Sequence, residues 1–165
     1  WRLQRIAAIG EGRWKGLYSI VSVVGLISII YGFGLAREEE GQLFVPPEWG
    51  RSVLLMIMPV SLALFIMSDG PVGYIKSAIR HPMLLGIVLW SGAHLLGNGD
   101  AASALLFGVF LAWSVFVLIR SYGRPYEQPQ KKYWWADVGA IVGSLVLTWL
   151  ITKWLHEWLI GVPIV

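Results

Sequence analysis

Three histidines are the side chains of this 165-residue sequence whose type and placement favour chemistry. His81 and His94 are thirteen residues apart in one apolar segment, which as a helix places them ~20 Å apart along its axis. His156 lies near the end of the last apolar segment, at the depth expected for His94. His81 and His94 therefore cannot bind one metal together within a monomer, whereas depth permits His94 and His156 to do so.

His94 is the strongest candidate for a metal-ligating and cofactor-binding residue. It is polar in an apolar stretch, so it needs a partner inside the protein. One interpretation is an axial haem ligand, with Trp90 one helical turn away beside the macrocycle. The other is a hydrogen bond that holds helices together, with Asn98, Asp100 or Ser91 as the partner. The pattern alone leaves both interpretations open.

Each of the other two histidines also has a structural and a functional interpretation. His81 precedes Pro82, where a residue that caps a helix beside lipid phosphates is expected. Alternatively, Arg80 and His81 recognise an anionic headgroup or a cofactor propionate. His156 belongs to a polar helix end that can extend toward the interface, or it joins His94 as a second cofactor-binding residue.

Several kinds of site are excluded by what the sequence lacks. Without cysteine there is no disulfide, thiolate nucleophile or thiolate-bound metal. The sequence has no phosphate-binding glycine loop, HExxH motif or serine elbow. The acidic residues 38–40 indicate a solvated stretch, and Asp100 and Asp137 stand at helix beginnings, where capping explains them.

The composition is that of an integral membrane protein. Hydrophobic residues make up 56% of the chain, charged residues only 14%, and a soluble domain carries roughly 25% charged residues. About 20 apolar residues are needed for a helix to cross a bilayer. The sequence offers five such segments, at residues 16–36, 51–68, 81–97, 101–120 and about 136–160. We therefore predict an all-α, polytopic transmembrane helical bundle with five spans, in a single domain of residues 1–165.

The loops between these segments predict an orientation. Alternate loops on one side hold ten of the thirteen lysines and arginines, namely Arg2, Arg5, Arg13, Lys15, Lys76, Arg80, Arg120, Arg124, Lys131 and Lys132. The positive-inside rule then places Trp1 in the cytoplasm and Val165 on the periplasmic side. Basic residues distributed in this way indicate topology and lipid contact, not nucleic-acid binding.

The segment from Arg80, RHPMLLGIVLWSGAHLLGNGDAASALLFGVFLAWSVFVLIR, resembles the NnrU family of bacterial membrane proteins. The resemblance continues upstream in GEGRWKGLYSIVSVVGLISIIYGFGLAR and downstream in WLHEWLIGVPIV, so it covers nearly the whole chain. The same domain occurs in plant zeta-carotene isomerase, a haem b membrane enzyme whose haem-ligating histidine matches His94. That enzyme has a cysteine where this chain has Ser91.

The resemblance implies a protein of the bacterial inner membrane that binds haem b. It also implies either an isomerase-like activity on an apolar polyene or a redox-accessory role in nitrite and nitric oxide respiration. In the plant relative the other ligand comes from an additional N-terminal helix, which would be a sixth span; in its absence His156 is the expected partner of His94. The alternative is a non-catalytic subunit or assembly factor of a larger respiratory or photosynthetic membrane complex.

A weaker similarity concerns the inner end of the third segment. Arg80, His81, Pro82 and Gly86 are similar to the RHPxYxG motif of membrane methyltransferases. Leu84 replaces the tyrosine of that motif, and no acidic pair follows downstream. Methyl transfer is therefore disfavoured.

Overall fold

A computed structural model of the chain describes residues 2–38, 41–161 and 164. Its helices are α1 (Arg2–Ile9), α2 (Glu11–Glu38), α3 (Gly50–Asp69), α4 (Tyr74–Ile79), α5 (Pro82–Gly97), α6 (Ala101–Tyr122), α7 (Trp134–Leu150), a π-helical turn (Ile151–Leu155) and α8 (His156–Ile160). The described part has no strand beyond one isolated bridge, so the all-α prediction is confirmed. Trp1 and Val165, to which the predicted orientation refers, lie outside the described residues, as do residues 39 and 40 of the acidic stretch.

Four helices are long and apolar enough to cross a bilayer: α2, α3, α6 and the continuous helix of 27 residues from α7 to α8. α5 is equally apolar but has 16 residues, or about 24 Å, which is shorter than the ~30 Å hydrocarbon core. These helices coincide with the five predicted segments, to within five residues at either end. A polytopic helical bundle is thereby confirmed.

The chain divides into two compact units, with the boundary before Gly41. The first unit contains α1 and α2, neither of which has a buried residue. The second contains α3 to α8. The prediction of a single domain over residues 1–165 stays a prediction.

In the second unit, α3 packs against both α5 and α7, and α5 also packs against α6. The centre of this packing contains Ala63, Leu64 and Met67 of α3 and Ala140 of α7. Small residues bring the helices close together, as is common in membrane bundles. Ser61 on α3 is fully buried and donates a hydrogen bond of 2.8 Å to the Gly86 carbonyl on α5.

The turn between α5 and α6 is held by a cap on α6 and by contact with the loop before α3. Asp100 does cap α6, because its carboxylate accepts a hydrogen bond of 2.8 Å from the Ser103 amide. However, the residue that follows α5, Asn98, is extended, so no glycine in the left-handed region terminates this helix. Gly99 is instead needed for close approach, since a Cβ atom there would collide with the Phe44 carbonyl. The loop before α3 is thus held against the α5–α6 turn, with the Leu43 amide 2.8 Å from the Gly99 carbonyl.

Asp137 caps a helix, but not its own. The carboxylate accepts hydrogen bonds from the backbone amides of Tyr74 at 2.7 Å and Ile75 at 3.3 Å, which begin α4. The Tyr133 amide also donates to the Val72 carbonyl at 2.9 Å. The start of α7 is therefore tied to the segment that follows α3. This arrangement makes α3 and α7 antiparallel.

Candidate functional site

A cavity lies in the second unit between α3, α5 and the helix that runs from α7 to α8. Its volume of about 340 Å³ is within the ~300–1,000 Å³ range of small-molecule sites. Its lining residues are Arg51, Leu54, Leu55, Met58, Leu62, Phe65, Trp90, His94, Gly97, Asn98, Thr148, Ile151, Thr152, His156 and Ile164. Three of the five predicted site residues, Trp90, His94 and His156, therefore share one cavity.

The His94 ring is held in a defined orientation. Its Nδ1 atom lies 2.8 Å from the Trp90 carbonyl oxygen. A carbonyl only accepts hydrogen bonds, so Nδ1 carries the proton and Nε2 keeps its lone pair. The ring also stacks on the buried Phe107 of α6, with centroids 4.4 Å apart, and Trp90 lies 5.3 Å from it. An imidazole fixed in this way is suited to act as a ligand through Nε2.

The hydrogen bonds around His94 differ from the three predicted alternatives. Asn98 donates to the backbone carbonyl of His94 at 2.8 Å, not to its side chain. Ser91 donates to the Ile87 carbonyl at 2.6 Å. The partner of the imidazole is the Trp90 carbonyl, one turn earlier on the same helix.

His156 enters the cavity from a helix with irregular geometry. The backbone amide of His156 donates to the Ile151 carbonyl, which is the i to i−5 bond of a π-helical turn. Such turns occur frequently at functional sites because they change the direction of the side chains that follow. Thr148 and Thr152 precede His156 at intervals of four residues and line the same cavity.

Arg80 and His81 lie at the opposite end of α5 from His94, ~20 Å along the helix axis, and do not line the cavity. Arg80 has a φ of 67°, a strained value for a residue other than glycine. Its guanidinium lies 5.1 Å from the Tyr126 ring centre and 5.9 Å from that of Tyr122. The edge of the His81 ring meets Tyr122, with centroids 5.3 Å apart, and His81 makes no side-chain capping bond. The recognition of an anionic headgroup or a cofactor propionate by Arg80 and His81 stays a prediction. It concerns a location separate from the cavity.

Sequence reasoning missed Arg51, Phe107 and the two threonines of the cavity. Arg51, Leu54, Leu55, Met58, Leu62 and Phe65 follow helical spacing along α3, so they lie on one face. Thr148, Thr152 and His156 are spaced four residues apart, so they form a polar stripe along one face of the helix. Both patterns are visible in the sequence. Neither shows that α3, α5 and α7 enclose a common space.

The donor atoms of the cavity suit some cofactors better than others. Among residues 2–38, 41–161 and 164, no three His, Cys, Asp or Glu side chains are grouped so that they could hold a metal ion. The two imidazoles of the cavity come from different helices, and most of the remaining wall is apolar. Such a donor set suits a metal ion whose remaining ligands are supplied by a cofactor.

Comparison with known proteins gives a family for the chain. Residues 1–164 match the NnrU protein family, so the match extends over nearly the whole chain. No curated protein and no solved structure matches it. The chain belongs to the NnrU family.

Proposed function

We propose that this NnrU-family protein binds haem b in the cavity between α3, α5 and the α7–α8 helix. The observation that carries the proposal is the convergence of His94 and His156 on one largely apolar cavity. A porphyrin supplies four nitrogens to its iron, so the protein would have to contribute only one or two further donors. The two histidines are of the type and number that this requires.

The residues around His94 support this assignment. The hydrogen bond from Nδ1 to the Trp90 carbonyl leaves Nε2 as the donor atom, and an outer partner of this kind is typical of metal-binding histidines. The stacked Phe107 and the nearby Trp90 limit rotation of the ring. Leu54, Leu55 and Met58 provide an apolar wall that excludes water.

In this proposal, His94 and His156 would hold the iron of the haem, and Trp90 would orient His94. Haem iron held in this way supplies reversible electron transfer and a site that accepts electron density. An isomerase-like activity on an apolar polyene, or a redox-accessory role linked to nitrite and nitric oxide respiration, would use that chemistry. A polyene would reach the cavity through the surrounding lipid, and a redox-accessory protein would act within a larger membrane complex.

Titration of the detergent-purified protein with haem b tests the proposal. We expect a saturable Soret absorption at one haem per chain, because two histidines are available to a single iron. His156→Ala is expected to weaken haem binding by about tenfold or more and to change the spin state of the iron. The reason is that loss of a ligand should reduce affinity at least as much as loss of an outer-shell contact.

The matched control is His81→Ala, which removes a histidine at the other end of α5. This variant is expected to bind haem as the wild type does. A wild-type protein without a saturable Soret change would overturn the proposal and favour the role of a non-catalytic subunit. Equal losses in the two variants would show that His156 has no special part in binding.

We further propose that the protein lies in the bacterial inner membrane with its basic loops in the cytoplasm. Ten of the thirteen basic residues lie before the first apolar segment, between the second and third, or from the end of the fourth to the start of the fifth. The antiparallel contact of α3 with α7 is compatible with that alternation. The absence of cysteine makes a direct test simple. In spheroplasts, a membrane-impermeant maleimide should label Glu48→Cys, and should label Lys131→Cys only after lysis. The reverse pattern would contradict the orientation.

A further inference from the structure

The cavity is elongated and has one polar end. Its α3 wall runs from Arg51 to Phe65, fourteen residues or about 21 Å along the helix axis. The intervening wall residues, from Leu54 to Leu62, are apolar. Arg51 stands at the end of this wall, in the first turn of α3. It is the only permanently charged side chain among the described residues that line the cavity.

The charge of Arg51 has no acidic partner in the part of the chain that the structure describes. The ion pair found there is Lys15 with Glu11, on α2. Arg51 donates one hydrogen bond, from Nη2 to the backbone carbonyl of Ile164. A guanidinium has five N–H donors, so most of them stay available to another acceptor. Glu48, three residues earlier, makes no ion pair with it.

Among the described residues, the cavity thus combines an apolar wall with one cation, at its end, that has no acidic partner. The complementary ligand has an apolar body and a carboxylate at one edge. Guanidinium and carboxylate groups form paired, charge-assisted hydrogen bonds, which orient a ligand as well as bind it. Of the polar wall residues, Thr148 and Thr152 already donate to carbonyls of their own helix, at 2.7 and 3.0 Å.

We propose that Arg51 binds the propionate edge of the haem held in this cavity, an inference that rests on the proposed function. Arg51 is then a positioning residue, which would hold the carboxylates at the polar end of the cavity, while the apolar residues of α3 would line the body of the ring. A fatty acid offers the same chemistry, an apolar body with one carboxylate, and the test must distinguish the two.

A thermodynamic cycle isolates this interaction. Wild type and Arg51→Gln are each titrated with haem b and with its dimethyl ester, in which both propionates have lost their charge. Arg51→Gln is expected to weaken haem b binding about 10- to 100-fold, in line with the value of hydrogen bonds between charged groups. Esterification should weaken wild-type binding by a similar factor, and should have little further effect in Arg51→Gln, because the two changes remove the same contact.

Two control variants separate recognition from folding. Lys153→Gln removes an exposed cation whose side chain does not line the cavity, and it should bind both porphyrins as the wild type does. Arg51→Lys keeps the charge without the paired geometry, so it should bind haem b with intermediate affinity. Unfolding temperatures of the ligand-free variants report any change in stability.

The outcomes distinguish this inference from the proposed function. Wild type that binds neither porphyrin overturns both. Suppose instead that wild type binds haem b, and that the factors by which Arg51→Gln and esterification weaken binding multiply when both changes are made. The two changes then act independently, so the role of Arg51 is overturned and the proposed function stands. If a long-chain fatty acid binds to wild type, loses affinity in Arg51→Gln and is not displaced by haem b, the carboxylate at Arg51 belongs to a lipid, and the haem assignment of Arg51 is wrong.

Discussion

A His94→Gly variant of this protein is expected to lose haem binding and to recover it when imidazole is added. The substitution removes the Nε2 donor and leaves a space of imidazole size beside Trp90 and Phe107, whose ring centres lie 5.3 and 4.4 Å from that of His94. Loss of an outer partner of a metal ligand typically weakens metal affinity 10- to 100-fold. Loss of the ligand itself should therefore exceed about 100-fold. Soret titrations with and without millimolar imidazole measure both effects.

Recovery with imidazole distinguishes ligation from support of the fold. Imidazole alone gives free haem a Soret band, so recovery is scored as a saturable change at one haem per chain, which a protein that failed to fold would not regain. His81→Gly serves as the matched control, since it removes an imidazole from the beginning of the same helix. If His94→Gly binds haem with wild-type affinity, or if imidazole restores nothing while the helical content is unchanged, then His94 is not the ligand.

An Asp137→Ala variant is expected to be markedly less stable than the wild type. The Asp137 side chain is buried, at 8% exposure, and its carboxylate accepts hydrogen bonds from the first two amides of α4. Hydrogen bonds to a charged group contribute about 1.5–3 kcal/mol, and alanine would leave both amides without this acceptor. We expect the free energy of unfolding to fall by about 2–3 kcal/mol. Thermal unfolding in detergent, followed by circular dichroism, should show a Tm lower by about 5–10 °C.

Two further substitutions test the reason for this loss. Asp69→Ala removes an exposed carboxylate from the end of α3 and should leave Tm nearly unchanged. Asp137→Asn keeps one acceptor oxygen, so its Tm should lie between those of wild type and Asp137→Ala. Equal Tm values for Asp137→Ala and Asp69→Ala would show that the α4 cap contributes little to stability.

The helices of this protein were predictable because the bilayer leaves the chain few alternatives. In hydrocarbon each backbone amide and carbonyl needs a partner, so a long apolar segment forms a helix. The predicted segments coincide closely with α2, α3, α5, α6 and the α7–α8 helix. Local signals near the helix ends were also reliable where they act within a few residues, as with Pro82 in the first turn of α5 and Asp100 at the start of α6.

The long-range partners of small and polar residues are harder to predict, because they depend on which other helix or loop approaches. Gly139 and Gly143 have the GxxxG spacing on α7, yet they differ in their surroundings. A Cβ added at Gly143 would lie 3.4 Å from Ile66 of α3, whereas a Cβ added at Gly139 would have nothing within 4 Å. Asp137 was correctly assigned as a capping residue, but its partner is the beginning of α4, 62 residues earlier in sequence. Neither outcome follows from spacing along one helix.

For the candidate site, the sequence by itself determined the depth of each histidine, since rise per residue converts position into distance along a helix. These distances predict different depths for His81 and His94, and a similar depth for His94 and His156. Only the tertiary structure decided that α3 lies between α5 and α7, that a π-helical turn precedes His156, and that Arg51 joins both histidines at one cavity. The physical reason is that an apolar composition favours insertion of a helix in lipid, whichever way the helix is rotated about its axis. The neighbours of a helix are selected instead by small residues and by interhelical hydrogen bonds, such as that from Ser61 to the Gly86 carbonyl.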